Sequence, residues 1–208
     1  GRVLLFEWDW LPDLGKYHVY ARDITEQRRA EDRLRRMAYE DEVTGLPNRS
    51  RLLEVLGERL AEGEPGVLVV SVDRFGVLVA QNGYEAAYAM LAEVGTALRE
   101  VVADRFGPES LVARLDGALF AVALPVGAEL EAADAEAVGR RLPREVRTAH
   151  ALFQTNYRLG VRRPGPGGAA SRPEDLLREA HTALLATEAE AAGRVAVHDS
   201  ALREAEAE

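Results

Sequence analysis

The chain has 208 residues, 47% of them hydrophobic and 29% charged, a composition typical of a globular protein rather than a disordered one. Its formal net charge of -9 argues against nucleic acid as a partner and against anionic membranes, because both attract surfaces rich in Lys and Arg. The absence of cysteine excludes disulfides and thiolate metal sites and fits a reducing cytosol. No apolar run approaches the roughly 20 residues that span a bilayer. We therefore expect a cytoplasmic chain, and a longer parent protein would still be free to attach to a membrane.

Residues 1–24 predict a β-hairpin. Its first strand places three aromatic side chains on one face: Phe6, Trp8 and Trp10. An isolated hairpin with this much aromatic surface is marginal in water, so it needs a partner. The exit Asp23-Ile24-Thr25 resembles that of PAS sensor domains, where an Asp-Ile-Thr turn leads into an output helix. The resemblance implies that these residues are the C-terminal hairpin of a PAS-like domain that begins upstream. An ordinary hairpin packed on the main domain is the alternative.

Residues 25–40 predict a strongly charged helix. Its narrow apolar stripe consists of Leu34, Met37 and Ala38. A stripe this thin is adequate for a paired helix, so we interpret the segment as a signalling linker that forms a short parallel coiled coil and thereby a homodimer. A solvated monomeric helix is the alternative.

The next motif reads Asp41-Glu42-Val43-Thr44-Gly45-Leu46-Pro47-Asn48-Arg49. Thr-Gly and Pro-Asn are turn-forming pairs, and Asn48 is a favourable N-cap for the helix that follows. The motif is similar to Asp-x-Leu-Thr-Gly-Leu-x-Asn-Arg, with which the domains of the diguanylate cyclase, or GGDEF, family begin. These nine residues are the most specific signal in the chain.

The rest of the chain alternates between strand and helix patterns. Residues 66–75 are apolar on both faces up to Ser71, which is typical of a central buried strand. The pattern further predicts helices over residues 85–103 and 129–142, a strand pair across 151–162, a loop over 164–168, a helix after a capping box of Ser171 and Glu174, and a closing strand over 193–198.

Residues 113–125 carry the strongest hairpin signal, because two apolar runs flank Asp116 and Gly117, a pair that favours a tight primed turn. The stretch resembles the signature hairpin of the GGDEF family, in which an arginine precedes Gly-Gly-Asp/Glu-Glu-Phe and a strand ending in proline follows. Four residues fit this frame: Arg114, Gly117, Phe120 and Pro125. Ala118 and Leu119 stand where the family has its two carboxylates.

The resemblance covers residues 41–200 and implies an α+β, palm-like fold. In this fold a central, mainly antiparallel sheet is flanked by helices, and here the N-terminal hairpin and the linker helix precede it. The order of predicted elements independently indicates an antiparallel-dominated sheet with helices packed against it. Arg158-Leu159-Gly160 falls where the family has its Ser-x-Gly strand. Residues 201–208 are left as an acidic tail or connector.

Diguanylate cyclases join two GTP molecules into cyclic di-GMP and hold each GTP with divalent cations, which require carboxylate ligands. The resemblance assigns the catalytic positions to residues that have no carboxylate: Ser71, Ala118 and Leu119. Gly76 stands at a lysine position, and the phosphate-facing lysine of the last helix becomes Glu188 or Glu190. We therefore predict that no catalytic residue remains, that no metal is held, and that Mg²⁺ enters only where nucleotide binding survives.

Some residues that would face a nucleotide are still polar or aromatic. The candidates for residual nucleotide binding are Asp73, Phe75, Val79, Tyr88, Arg114, Asp116 and Gly117. Val79 and Tyr88 stand where the family reads guanine with Asn and Asp, so they would stack on a base without its hydrogen bonds. Asp73 and Asp116 either meet at the strand end around a cation or serve as a strand cap and a turn residue. Arg114 either forms a structural ion pair or contacts a phosphate.

The resemblance leads to one favoured function and two alternatives. The favoured one is a catalytically inactive GGDEF domain that regulates or dimerises, between a PAS sensor and a downstream output domain, in cyclic di-GMP signalling. An EAL-type phosphodiesterase domain often follows in relatives, and the residues from Asp199 resemble the start of such a connector. The alternatives are a non-catalytic sensor of GTP or cyclic di-GMP, and a residual cyclase or other enzyme with a rearranged site.

Overall fold

The computed structural model describes residues 1–165, 172–187 and 195–198, and the chain divides into two compact units, Gly1–Ala38 and Tyr39–Glu208. The helices are α1 (Thr25–Tyr39), α2 (Arg49–Leu60), α3 (Phe75–Phe106), α4 (Ala132–Arg141) and α5 (Pro173–Ala186). The strands are β1 (Leu4–Leu11), β2 (Lys16–Asp23), β3 (Val67–Val72), β4 (Leu111–Asp116), β5 (Leu119–Ala123), β6 (Glu145–Arg147), β7 (Leu152–Gln154), β8 (Tyr157–Arg162) and β9 (Val195–His198). No helix among the described residues has the length and apolar character needed to cross a membrane.

In the first unit, β1 and β2 form the predicted antiparallel hairpin, with Trp8 opposite Val19 and Trp10 opposite Tyr17. The three aromatic side chains on one face are all about half exposed or more: Phe6 52%, Trp8 66% and Trp10 51%. The rings of Trp10 and Tyr17 lie 4.9 Å apart, so part of this surface is covered by cross-strand contact. The rest of the apolar face is open.

The exit turn of the hairpin is held by side-chain hydrogen bonds. The Asp23 carboxylate accepts a bond of 3.0 Å from the backbone N–H of Thr25 and another from its hydroxyl, which lowers the pKa of Asp23. The Thr25 hydroxyl oxygen in turn accepts the N–H of Val3 at 2.8 Å. These bonds fix the start of α1, whose predicted stripe is exposed at Leu34 (66%) and Met37 (70%).

In the second unit, a five-stranded sheet has the order β4-β5-β3-β8-β9. All neighbours are antiparallel except β8 and β9, which are parallel, so the predicted mainly antiparallel sheet is confirmed. The central strand β3 is buried on both faces, as its unbroken apolar run predicts, because α3 and α4 pack on one face and α2 and α5 on the other.

The predicted pairing of strands across residues 151–162 is wrong. β7 pairs with β6, a strand that the sequence did not indicate, and β8 pairs with β3 and β9. β6 has only three residues, too few to show a periodicity. β8 is buried along most of its length, which suits an inner strand of the sheet better than one arm of a surface hairpin.

The helix boundaries also differ from the prediction. α3 begins at Phe75, ten residues early, and is interrupted at Gly83, whose φ of 83° and ψ of 165° are not helical. Its first part exposes Val77 (50%), so it lacks the stripe that marks the part after Gly83. α4 begins at Ala132 because Glu131 is its N-cap and forms a capping box with Asp134.

The predicted box at α5 includes Ser171, which lies outside the described residues. The N-cap of α5 in the structure is Arg172, and proline follows at the first helical position. Most of the predicted loop over residues 164–168 also lies outside the described part, as do Gly193 and Arg194. The closing strand is present as β9.

Candidate functional site

The end of β3 lies between the two strands that carry the candidate catalytic positions. Ser71 is opposite Leu119 of β5 on one side and opposite Arg158 of β8 on the other. Cross-strand partners have Cβ atoms about 5 Å apart on the same face of the sheet, so these residues form one row. The backbone N–H of Val72 donates a bond of 3.1 Å to the carbonyl of Ala118. We call the following group the strand-end site: Ser71, Asp73, Ala118, Leu119 and Arg158.

The structure thus brings together the three positions at which the resemblance places catalytic residues. Ala118 is 8% exposed and belongs to the hydrophobic core, and Leu119 packs against the cluster on the opposite face. Mg²⁺ requires oxygen ligands, and neither side chain has one. Among the described residues, no group of three or more acidic, His or Cys side chains is arranged to hold a metal ion. The residues of the strand-end site do not fit a divalent cation.

The carboxylate of Asp73 has an arginine as its partner. Arg158 Nε lies 3.4 Å from Asp73 Oδ1, and the two side chains are only 18% and 17% exposed. The backbone N–H of Asp73 donates to the carbonyl of Asn156 at 2.8 Å, and Arg144 donates to the side-chain oxygen of Asn156 at 3.0 Å. Asp116 is exposed at the end of β4, so the structure gives no support to a cation shared by Asp73 and Asp116.

The turn between β4 and β5 consists of Gly117 and Ala118, and Asp116 pairs with Leu119 across it. Gly117 has a φ of 46°, whereas Ala118 is not among the residues with positive φ. A positive φ favours glycine, so the tight turn of the hairpin lies at the glycine of the Asp-Gly pair, and the strand register is irregular between Arg114 and Asp116. Asp116 is the last residue of β4 rather than a central residue of the turn.

Arg114 joins this turn to the motif at residues 41–49. Its side chain is 7% exposed, and it donates to the Asp41 carboxylate at 2.8 Å and to the Gly117 carbonyl at 2.6 and 3.1 Å. Asp41 also accepts from the N–H and the hydroxyl of Thr44, and the guanidinium lies 5.8 Å from the ring centre of Tyr88. We call Asp41, Thr44, Tyr88, Arg114 and Gly117 the hairpin clamp. Of the two roles considered for Arg114, the clamp favours the structural ion pair.

The pKa of Asp41 reports the balance of forces in the clamp. Burial opposes ionisation of this carboxyl, but hydrogen bonds from Thr44 and Arg114 outweigh the burial and lower its pKa. Asp41 is therefore ionised at neutral pH, and its charge contributes to the stability of the clamp.

Three of the positions expected to face a nucleotide lie on α3, and one of them, Tyr88, belongs to the clamp. Phe75 packs against the core, Val79 is half-buried, and Tyr88 is 37% exposed. Tyr84 is 66% exposed, and its ring lies 5.7 Å from that of Tyr88. Glu188 and Glu190 lie outside the described residues.

Tyr84 and Arg158 also belong to this region, although the sequence pattern did not predict a role for either of them there. Tyr84 precedes Tyr88 by four residues, a spacing that brings two side chains together on one helix face. Arg158 occupies the serine position of the Ser-x-Gly pattern, so the available signal was a basic residue at a position where the family has serine.

The chain matches the family model "Diguanylate cyclase, GGDEF domain" over residues 38–194. It is 34% identical to an uncharacterised protein of Mycobacterium tuberculosis over 177 residues, which are 81% of this chain and 27% of that protein. It is 26% identical to the cyclic di-GMP phosphodiesterase PdeB of Shewanella oneidensis over 190 residues, which are 87% of this chain and 21% of that protein.

Among solved structures, the coiled coil and GGDEF domain of DgcB from Caulobacter crescentus, in complex with cyclic di-GMP, has a TM-score of 0.64 at 20% identity. The match covers 84% of this chain and 93% of that chain. By contrast, the chain spans only about a quarter of the length of the curated relatives it matches.

Proposed function

We propose that this chain, which belongs to the GGDEF domain family of cyclic di-GMP signalling, acts there as a catalytically inactive regulatory or dimerisation module. The observation that carries the proposal is the cross-strand contact of Ser71 with Leu119, next to Ala118. Phosphoryl transfer needs cations to offset charge on the phosphates, and a cation needs carboxylates at these positions. A hydroxyl, a methyl group and an isobutyl group cannot supply them.

The size of the expected loss supports inactivity rather than slow turnover. Removal of a single charge-stabilising group in an active site typically costs about 10²-fold or more in rate. Here both metal-binding strands lack their acidic side chains, and the remaining acid, Asp73, is paired with Arg158. Scaffold contacts, in contrast, are complete at the hairpin clamp.

The direct test is incubation of the purified chain with GTP and Mg²⁺ or Mn²⁺, followed by chromatographic quantification of GTP and cyclic di-GMP. We expect GTP to be recovered unchanged and no cyclic di-GMP to form over hours. Formation of cyclic di-GMP in proportion to the amount of protein would overturn the proposal.

The first unit supports a position between a sensor and an output. The Asp23-Ile24-Thr25 turn and the open aromatic face of the β1–β2 hairpin fit the last hairpin of a PAS-like domain, whose remaining sheet would cover that face. We propose that α1 transmits the sensor's state to the GGDEF domain, and that the output is an EAL-type domain of a longer parent chain.

Dimerisation through α1 is testable on the chain itself. The stripe at Leu34 and Met37 would be buried between two helices, so Leu34→Glu or Met37→Glu would place a charge in that interface. We expect light scattering to report a dimer for the unmodified chain and a monomer for either variant. Arg36→Glu, on the opposite side of the helix, is the control and should leave the dimer intact. A monomeric unmodified chain would contradict the linker's role in dimerisation.

The exposed ring pair of Tyr84 and Tyr88 favours a second candidate function, a non-catalytic sensor of GTP or cyclic di-GMP. Aromatic rings stack on nucleobases without needing a metal, and each stacked base contributes about 1–3 kcal/mol. Calorimetric titration with each nucleotide, with and without Mg²⁺, tests this function. Micromolar binding that is lost in Tyr84→Ala would favour the sensor over the purely protein-binding module.

A further inference from the structure

We infer that Arg158 replaces the divalent cation of the family with a fixed positive charge, so that the strand-end site is closed to metal even where a carboxylate is restored. The inference rests on the proposed function, because it begins from the loss of the metal-binding acids. It goes further in explaining why the remaining acid, Asp73, is not a residual metal ligand.

The position of Arg158 follows from strand register. It is the cross-strand partner of Ser71, on the side of β3 opposite to Leu119. Its guanidinium reaches along β3 to Asp73, with 3.4 Å between Nε and the carboxylate oxygen. A cation bound by ligands at positions 71 and 73 would therefore lie beside the guanidinium.

The charge at position 158 is permanent. A guanidinium is a delocalised cation that donates hydrogen bonds but accepts none. In the ion pair with Asp73 it offsets the charge of the carboxylate, but it cannot act as a metal ligand. A divalent cation that approaches Asp73 meets a like charge within a few ångströms, in a region where the side chains are less than one-fifth exposed and screening by water is reduced.

The surrounding backbone holds Arg158 in place. β8 is an inner strand between β3 and β9, and the N–H of Asp73 donates to the carbonyl of Asn156 just before it. The side chain of Arg144 donates a hydrogen bond of 3.0 Å to the side-chain oxygen of Asn156. With its backbone paired with Ser71 of β3 and its side chain 18% exposed, Arg158 has little freedom to swing away from Asp73.

The inference makes an ordered prediction about metal binding. A carboxylate introduced by Ser71→Asp would have two cationic competitors, the added metal and Arg158, and the arginine is already in place. Removal of Arg158 removes that competitor, so the carboxylates at positions 71 and 73 are available to the metal. Both changes are therefore needed, and neither suffices.

The experiment is a titration of the chain with Mn²⁺, in which the unbound ion is counted by electron paramagnetic resonance. We expect the unmodified chain, Ser71→Asp and Arg158→Ser to bind Mn²⁺ weakly or not at all. The double variant Ser71→Asp/Arg158→Ser should bind about tenfold or more tightly than Ser71→Asp, as expected for the loss of one nearby positive charge. Mg²⁺ should displace the bound Mn²⁺.

Two controls separate the local effect from net charge and from misfolding. Ser71→Asp/Arg140→Ser removes an arginine that pairs with Glu136 on α4 and should behave like Ser71→Asp alone. Ser71→Asp/Arg158→Lys keeps the charge at position 158 and should also bind poorly. Circular dichroism and thermal melting of each variant establish that the folded protein is being titrated.

Equal Mn²⁺ affinity for Ser71→Asp and the double variant would overturn the inference, as would equal gains from Arg140→Ser and Arg158→Ser. Weak binding by a folded double variant would also overturn it, because Arg158 would then not be the barrier. This readout counts bound ions and is independent of turnover. Cyclic di-GMP formation by the unmodified chain would instead remove the proposed function, so the two failures are distinguishable.

Discussion

The hairpin clamp and the strand-end site meet at neighbouring residues of one turn and have opposite character. The Gly117 carbonyl accepts hydrogen bonds from Arg114 in the clamp. The next residue, Ala118, is a core residue at a position where the family has a carboxylate. Every charged group of the clamp has a partner of opposite charge or a hydrogen bond, while two of the three positions that would hold a metal are apolar. The contacts that shape the hairpin and the positions that the resemblance assigns to catalysis are thus different residues, so a substitution in one set need not disturb the other.

The largest expected effect breaks the clamp. Arg114→Ala removes the cationic partner of the Asp41 carboxylate and the arginine donor of the Gly117 carbonyl in a largely buried region. Loss of one partner of a buried pair costs about 3 kcal/mol or more, because the remaining charge is uncompensated. We expect urea denaturation to show a fall of this size in the free energy of unfolding.

The matched control for Arg114→Ala is Arg140→Ala, which removes an exposed arginine from an (i, i+4) pair with Glu136. Exposed pairs of this kind contribute about 0.3–0.5 kcal/mol. Equal losses in the two variants would show that the clamp has no special role in stability and would remove the contrast between the two regions.

The second prediction uses the pH dependence of the clamp. Because the pKa of Asp41 is lowered in the folded protein, its ionised form stabilises the fold above the ordinary carboxyl pKa of about 3.9. That contribution is lost as the pH falls through the lowered, folded-state value. Asp41→Asn should therefore cost about 1 kcal/mol of unfolding free energy at pH 7.

The difference between the unmodified chain and Asp41→Asn should shrink as the pH is lowered below about 3.9, and it should be constant above pH 5. Denaturation curves over this range measure it. A difference that is independent of pH would mean that the charge of Asp41 is not what the clamp uses.

The third prediction concerns the ring of Tyr88, whose centre lies 5.8 Å from the Arg114 guanidinium. Tyr88→Leu keeps apolar contact but removes the cation–π interaction, which is worth about 0.5–1 kcal/mol at partly exposed sites. Denaturation should show a loss of this size, and Tyr84→Leu, whose ring is farther out, should show less. Equal losses of unfolding free energy in the two variants would mean that the contact of Tyr88 with Arg114 does not contribute to stability.

Local patterns were sufficient for the parts of the fold that depend on neighbours in sequence. The unbroken apolar run of β3 and the turn at Gly117 could be read directly, and the family motif predicted the mainly antiparallel sheet. The pairing of β6 with β7 could not, because a three-residue strand has no periodicity and gains its hydrogen bonds only from its partner.

The candidate site was predictable as a set of positions but not as a set of contacts. That Ser71 and Leu119 would lie side by side depends on the register between two strands, which a one-residue shift would undo. The ion pair of Asp73 with Arg158 joins residues far apart in the sequence, and charge alone does not choose that arginine among the many in the chain. The roles of the residual nucleotide-binding candidates stay predictions.

The smallest expected effect is at Asp116, the neighbour of the clamp on the other side of Gly117. Its side chain is exposed, and no hydrogen bond or ion pair of the described residues uses its carboxylate, so Asp116→Ala should change the unfolding free energy by less than about 0.5 kcal/mol. Gly117→Ala is the contrasting variant, because a φ of 46° is unfavourable for a residue with a Cβ and should cost about 1 kcal/mol. A larger loss for Asp116→Ala than for Gly117→Ala would mean that the turn depends on a carboxylate. In that case the residues that stabilise the hairpin and the residues at the family's catalytic positions would not be separate sets. The clamp and the strand-end site otherwise indicate that they are separate.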